Sequence, residues 1–358
     1  MISQIQSRLE MRSTFDKIYT TPTKKPPLKA VVVLSERSPD IMTSLALARK
    51  KIRKEYTVSS TTLEDGLYRL SLERDIRHET VSGQAIVEWD PTGYWIVYTD
   101  ESSYFVAHVL EPFLNKLYPD VSRVYFNYRQ ILKFLRELER EYQGASVLTS
   151  IFVRRQRRAG HQKERGTLQL WELGAEQELQ KLTQRYRLWI GQIGFQIRDR
   201  ADLLLLAGSL TSRGVARLRY GRFSDFSEKF VLVFVGVALD WKKFFSGRER
   251  KLIDGDVRLS PYALHYPFQL ESRQIGDVNE TLSNLYSFSV IHGGNPYFAA
   301  SLCDYQDGSS FGLTVLGDTI TITPLTKATP FALWKLTTRI QGIVGEGDIR
   351  TLREDQVA

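Results

Sequence analysis

Six cations fall within twelve residues in the run Arg154-Arg155-Gln156-Arg157-Arg158-Ala159-Gly160-His161-Gln162-Lys163-Glu164-Arg165. Guanidinium and ammonium groups at this density do one thing well, which is to hold phosphates. Gly160 and Gly166 loosen the run, and strand-like segments flank it, so it reads as an arm able to follow a polyanion. Three further basic groups lie nearby in sequence. Arg217 and Arg219 stand two apart on an expected strand and so share a face, with Arg213 and Arg222 close by. Arg185 and Arg187 flank Tyr186 near Trp189. Lys242, Lys243, Arg248, Arg250 and Lys251 gather further on. Arg predominates over Lys in this third of the chain, which suits planar, two-pronged phosphate contacts.

The net charge of the chain follows the same division. Residues 151–251 carry +11, residues 1–150 carry +2 and residues 252–358 carry −5. Like charges repel in the compact state, so a local excess of this size points to a polyanionic partner.

Catalytic constellations are sparse by comparison. A metal-dependent nuclease needs carboxylates converging on a divalent cation. Glu88, Asp90, Asp100 and Glu101 surround one hairpin, and Glu249-Arg250-Lys251 is the one Glu-x-Lys triplet weighed for this role; Glu88, Asp100 and Glu249 are its first candidates. Turn and cap duties account for Asp90 and Asp100 equally well. The five histidines, His78, His108, His161, His265 and His292, never pair at the i, i+4 spacing of a zinc helix. Phosphate-loop, dinucleotide and serine-hydrolase glycine motifs are absent. The Ile291-His292-Gly293-Gly294-Asn295-Pro296-Tyr297 stretch reads as a tight loop before a strand. No cofactor is expected.

One cysteine, Cys303, rules out an intramolecular disulfide and is expected to be a buried thiol in a cytoplasmic protein. The longest apolar run, Phe230 to Leu239, is half of what a membrane span needs. The first residues lack the apolar core of a secretory signal, so no membrane association is expected.

The elements that must position these groups read as α+β, with mostly antiparallel sheets, hairpin-then-helix units and two or three packed subdomains. Expected divisions are an N-terminal segment and linker (1–27), an α/β domain (28–150), a basic α+β region (151–251) and a meander with a closing helix (252–358). The N-terminal segment places Ile2, Ile5, Leu9 and Phe15 near helical spacing. The Pro-rich stretch Thr21–Pro27 after it predicts a semi-detached helix. Leu28–Leu34 reads as a buried strand, and Ser38-Pro39-Asp40 opens a helix to about residue 55. Asp90-Pro91-Thr92-Gly93 marks a hairpin between strands near 84–89 and 94–99. Residues 100–103 cap a helix with Phe105, Val109, Phe113 and Leu117 on one face. Val121–Phe126 reads as a strand, and Asn127 caps the next helix. Strands are expected near 145–153, 167–171, 192–197, 201–209 and 215–220, with a helix near 174–188. Phe223–Phe245 reads as a buried helix capped by Ser224. Three alternating strands, 297–304, 310–316 and 319–323, precede a helix opened by Thr329-Pro330.

The reading that follows is a non-catalytic nucleic-acid-binding protein, an accessory subunit of a nucleoprotein complex. It grips phosphates through Arg154, Arg155, Arg157, Arg158, Lys163, Arg165, Arg213, Arg217, Arg219, Arg222, Arg248 and Arg250. The alternatives are a metal-dependent nuclease and a structural subunit whose basic face meets an acidic protein.

Overall fold

The computed structural model describes residues 2–21, 25–35, 37–39, 50–142, 146–155, 165–169, 188–248, 251–253, 256–294, 297–345 and 347–352. The chain is α+β, built from antiparallel meanders each followed by a helix. Its described residues form two compact units, one holding residues up to Arg154, 165–169 and 190–238, the other Arg155, 188–189 and the residues from Leu239 on.

The first unit is organised by β1 (Leu28–Leu34), whose seven residues are all buried. A short helix, Lys50–Glu55, leads into a meander of β2 (Tyr56–Glu64), β3 (Leu67–Ile76), β4 (Glu79–Asp90) and β5 (Tyr94–Thr99). The β4–β5 turn is the expected one: Thr92 N–H donates to the Asp90 carboxylate at 2.8 Å, and Gly93 has φ 105°. The chain returns through a helix and a two-residue β6 (Ser122–Arg123). Beyond the helix Tyr128–Glu141 lie β7 (Ser146–Arg155), β8 (Arg165–Gln169), β9 (Leu188–Arg198), β10 (Leu204–Thr211) and β11 (Val215–Gly221). All join one sheet of order β2-β3-β4-β5-β1-β11-β10-β9-β7-β8, with β6 also paired to β1. β1 is therefore the seam between two meanders. It is antiparallel to β5 on one edge and to β11 and β6 on the other.

Each face of this sheet is closed by helices. On one face Val31, Val33, Trp95 and Val97 pack with Phe105, Val109 and Phe113. These come from a helix running as Ser103–Phe105, a π-helical turn Val106–Leu110 and Glu111–Lys116, capped by the Ser102 hydroxyl. Pro112 lies just past the π turn and has no N–H to donate, so the regular bonding pattern is broken where it sits. The helix after β11 has the same build: Phe223–Asp225, a π turn Phe226–Val231, then Leu232–Ser246. Its Phe230 meets Phe195 at 4.3 Å and Phe134 at 4.7 Å, between ring centroids, on the opposite face.

The N-terminal helix, Arg8–Tyr19, is docked rather than semi-detached. Phe15 is fully buried against Phe223, at 5.1 Å between ring centroids, and Arg8 bonds Glu64 at 2.9 Å and Glu88 at 3.2 Å. The Asp16 carboxylate accepts from the Phe223 and Ser224 amides, so it caps the helix after β11 from a distant segment. The N-cap position there is Arg222 and not Ser224. Leu9 is exposed while Ile2 and Ile5 are buried, because the latter belong to a separate turn before the Ser7 cap. Val121–Phe126 forms only the short β6. Helix 174–188, Gly144 and most of the expected helix between 39 and 55 lie outside the described residues.

The second unit carries a small hairpin, β12 (Lys251–Ile253) with β13 (Asp256–Arg258), and a six-stranded sheet. Its strands are β14 (Tyr262–His265), β15 (Ser287–Gly293), β16 (Tyr297–Cys303), β17 (Ser310–Leu316), β18 (Thr319–Pro324) and β19 (Asp348–Thr351). β17 and β18 alternate half-exposed and buried positions, as one-sided strands do. Helices Ser272–Ser283 and Pro330–Val344 accompany it, the latter capped by the Thr329 hydroxyl and ended at Gly345. Cys303 is half-buried rather than buried.

The two units repeat one topology. In the first, β1, a short helix, the meander β2 to β5, a closing helix and β6 follow in order. In the second, β14, a helix, the meander β15 to β18, a closing helix and β19 do the same. The sheet orders correspond, since the first strand lies beside the last strand of the meander, and the final short strand pairs with the first strand's other edge. A hairpin-then-helix unit in each part is the sequence trace of this recurrence. Among the described residues no helix is long and apolar enough to cross a membrane.

Candidate nucleic-acid interface

The basic third of the chain supplies one contiguous half of the large sheet, in the order β11-β10-β9-β7-β8. Four strand intervals separate β11 from β8, or about 19 Å. At the far side, the β7–β8 hairpin places Arg154 directly opposite Arg165, at the entrance of the connection that holds Arg157, Arg158 and Lys163. Arg155 ends β7; Arg157, Arg158, Lys163 and Arg250 lie outside the described residues, as do Arg185 and Arg187.

At the near side, β11 carries Arg217 and Arg219 two apart, on one face. Arg219 is exposed and Arg217 half-buried. Arg213 and Arg222 are both exposed but lie at opposite ends of β11, whose seven residues span about 20 Å. Proximity in sequence thus separates them in space. Arg248 belongs to the second unit. Its guanidinium lies 4.7 Å from the Phe244 ring centroid and donates to the Thr351 hydroxyl at 2.8 Å, which ties the helix end to β19.

One functional-looking residue escaped the sequence reading. Lys29 is the lone cation of the apolar β1 and is almost wholly buried. Its ammonium donates to the carbonyls of Pro27 and Glu101. In register it stands between Thr99 of β5 and Arg217 of β11. Burial, and after it the Arg217 charge, push the Lys29 ammonium down to about 8, against the opposing pull of Asp100 and Glu101. The signal available in sequence was a single Lys inside Leu28–Leu34.

This shift carries a stability prediction. The unfolded chain keeps the Lys29 proton up to about pH 10.4, whereas the folded chain releases it near pH 8. Between these values the unfolded state binds more protons, so stability rises with pH. The expected gain is on the order of 2 kcal/mol, seen as the difference between wild type and Lys29→Met in urea unfolding at pH 7.5 and pH 10. Equal pH dependence in the two proteins would show that Lys29 titrates normally.

Three of the carboxylates considered for a metal have other partners. Glu88 pairs with Arg8, Asp90 accepts from Thr92, and Glu101 accepts from the Gln84 amide at 3.2 Å. Among the described residues no group of His, Cys, Asp and Glu is arranged to hold a metal ion. Glu249 lies outside those residues. No protein-family model matches the chain, and no curated protein is significantly similar to it in sequence.

Proposed function

We propose that this chain is a non-catalytic nucleic-acid-binding protein that grips phosphates with the Arg-rich half of its large sheet, as an accessory subunit of a nucleoprotein complex. The observation that supports it best is the register of β7 and β8. Arg154 and Arg165 oppose each other where the Arg157, Arg158 and Lys163 connection begins, on the sheet that also carries Arg217 and Arg219. An excess of +11 over residues 151–251 supplies the long-range attraction. Contacts of this kind are made to the backbone of the nucleic acid and do not read bases.

The test is replacement of Arg154, Arg155, Arg157 and Arg158 together by Ala. Binding to random-sequence DNA and RNA should weaken by a similar factor on every sequence. The slope of log K against log salt should fall by about 0.7–0.9 per lost contact. An unchanged slope would remove these four residues from the interface. Binding of an acidic protein with no binding of nucleic acid would favour the structural-subunit alternative.

A further inference from the structure

We infer that Lys29, Arg217 and Ser209 form a cradle for a single phosphate group on the sheet of the first unit. Five strands contribute to one cross-strand row: Thr99 of β5, Lys29 of β1, Arg217 of β11, Ser209 of β10 and Gly194 of β9 are successive register partners. Register partners in antiparallel strands point to the same face, so these side chains lie side by side. Elsewhere on this face β1 and β5 present Val31, Val33, Trp95 and Val97 to the core. The polar row therefore replaces apolar packing at one level of the sheet.

Two of its groups lack partners. The Ser209 hydroxyl belongs to a side chain only 1% exposed and makes no hydrogen bond, and the Arg217 Nε is buried and equally unpaired. Arg217 donates through Nη1 to the Gln192 side-chain oxygen at 3.3 Å and, among the described residues, pairs with no carboxylate. Lys29 has three N–H donors and gives two of them to carbonyls. Unpaired buried donors beside two adjacent cations are expensive to keep in a fold, and an anion with several acceptor oxygens would satisfy them together. The carboxylates felt here are Asp100 and Glu101 at Lys29 and Glu111 at Arg217, and Glu111 is already paired with Arg123.

A tetrahedral phosphate matches this donor set. It can come from free phosphate or a small phosphomonoester, or from the end of a nucleic-acid strand. The inference shares Arg217 with the proposed nucleic-acid face, but none of its residues lies in the Arg154–Arg165 segment, so the two can be tested apart.

The experiment is a calorimetric titration of the full chain with inorganic phosphate at constant ionic strength. Wild type should bind one equivalent saturably. Arg217→Gln should weaken binding about tenfold or more, and Ser209→Ala about fivefold, with the fold of each confirmed by circular dichroism. If Arg217→Gln does not fold, Ser209→Ala decides. The quadruple Ala variant at 154, 155, 157 and 158 should titrate like wild type, which separates this site from the basic arm. Displacement of phosphate by a 5′-phosphorylated oligonucleotide, and not by its unphosphorylated form, would assign the source to strand ends. Displacement only by small phosphomonoesters would assign it to a metabolite. Absence of saturable binding to wild type at about 1 mM phosphate, or unaltered binding in both variants, overturns the inference.

Discussion

Gly208→Ala should destabilise the first unit by about 3 kcal/mol or more, while Gly236→Ala in the same unit should stabilise it by up to about 1 kcal/mol. The substitution is the same and the sign is opposite because the surroundings differ. A Cβ at Gly208 would stand 2.1 Å from the Arg217 carbonyl oxygen and 2.7 Å from the Phe195 ring. The first of these is backbone of the neighbouring strand, so neither rotamer change nor side-chain movement relieves it. The strand pair must part at the bulge between Ala207 and Gly208, where the register already shifts. Gly236 has nothing within 4 Å of its would-be Cβ and lies exposed on the helix Leu232–Ser246. There the added methyl only reduces the freedom of the unfolded chain and raises helix propensity. Urea unfolding of both variants checks the pair. Equal and small effects would show that β10 and β11 sit further apart than this structure has them.

Hairpins and caps were the legible part of the fold. Asp90-Pro91-Thr92-Gly93, Asn127 and Thr329-Pro330 each act through groups close in sequence, so their chemistry is written locally. What was missed depends on distant partners. β2 is an edge strand whose better-covered face still carries Ser60 and Thr62, so its Ser59-Ser60-Thr61-Thr62 run shows no alternation of apolar residues. The N-terminal helix looks detachable after a Pro-rich linker, and only the Asp16 carboxylate at the Phe223 amide and the Phe15 ring against Phe223 show that it is part of the core. The same limit applies to the site. Arg217 and Arg219 share a face as their spacing requires, but sequence distance misleads for Arg213 and Arg222, which a strand holds apart. It is silent on Lys29 and Arg217, which sheet order alone makes neighbours.

Arg123→Ala should lower the unfolding free energy of the first unit by about 3–5 kcal/mol, the loss expected when one member of a buried ion pair is removed. Arg123 ends β6, where it pairs with Val33 of the central strand. Its side chain is 3% exposed and that of its partner Glu111 16%. One guanidinium nitrogen meets the Glu111 carboxylate at 2.7 Å and the other the Arg213 carbonyl at 2.7 Å, so it joins the first closing helix to the β10–β11 turn. Removing it strands a largely buried carboxylate and leaves a carbonyl without its donor. Replacing both partners by apolar residues, Arg123→Met with Glu111→Leu, removes the charge altogether and should fall within about 2 kcal/mol of wild type. The exposed pair Arg12–Glu228, at 3.1 Å with both side chains about half exposed, is the control, since losing it should cost less than about 1 kcal/mol. Hydrogen exchange at the amides of β1, the central strand of this unit's sheet, distinguishes these outcomes. A single variant no more harmful than the double would mean that Arg123 acts through packing of its alkyl chain, and that the charge it carries is incidental to how β6 closes the sheet.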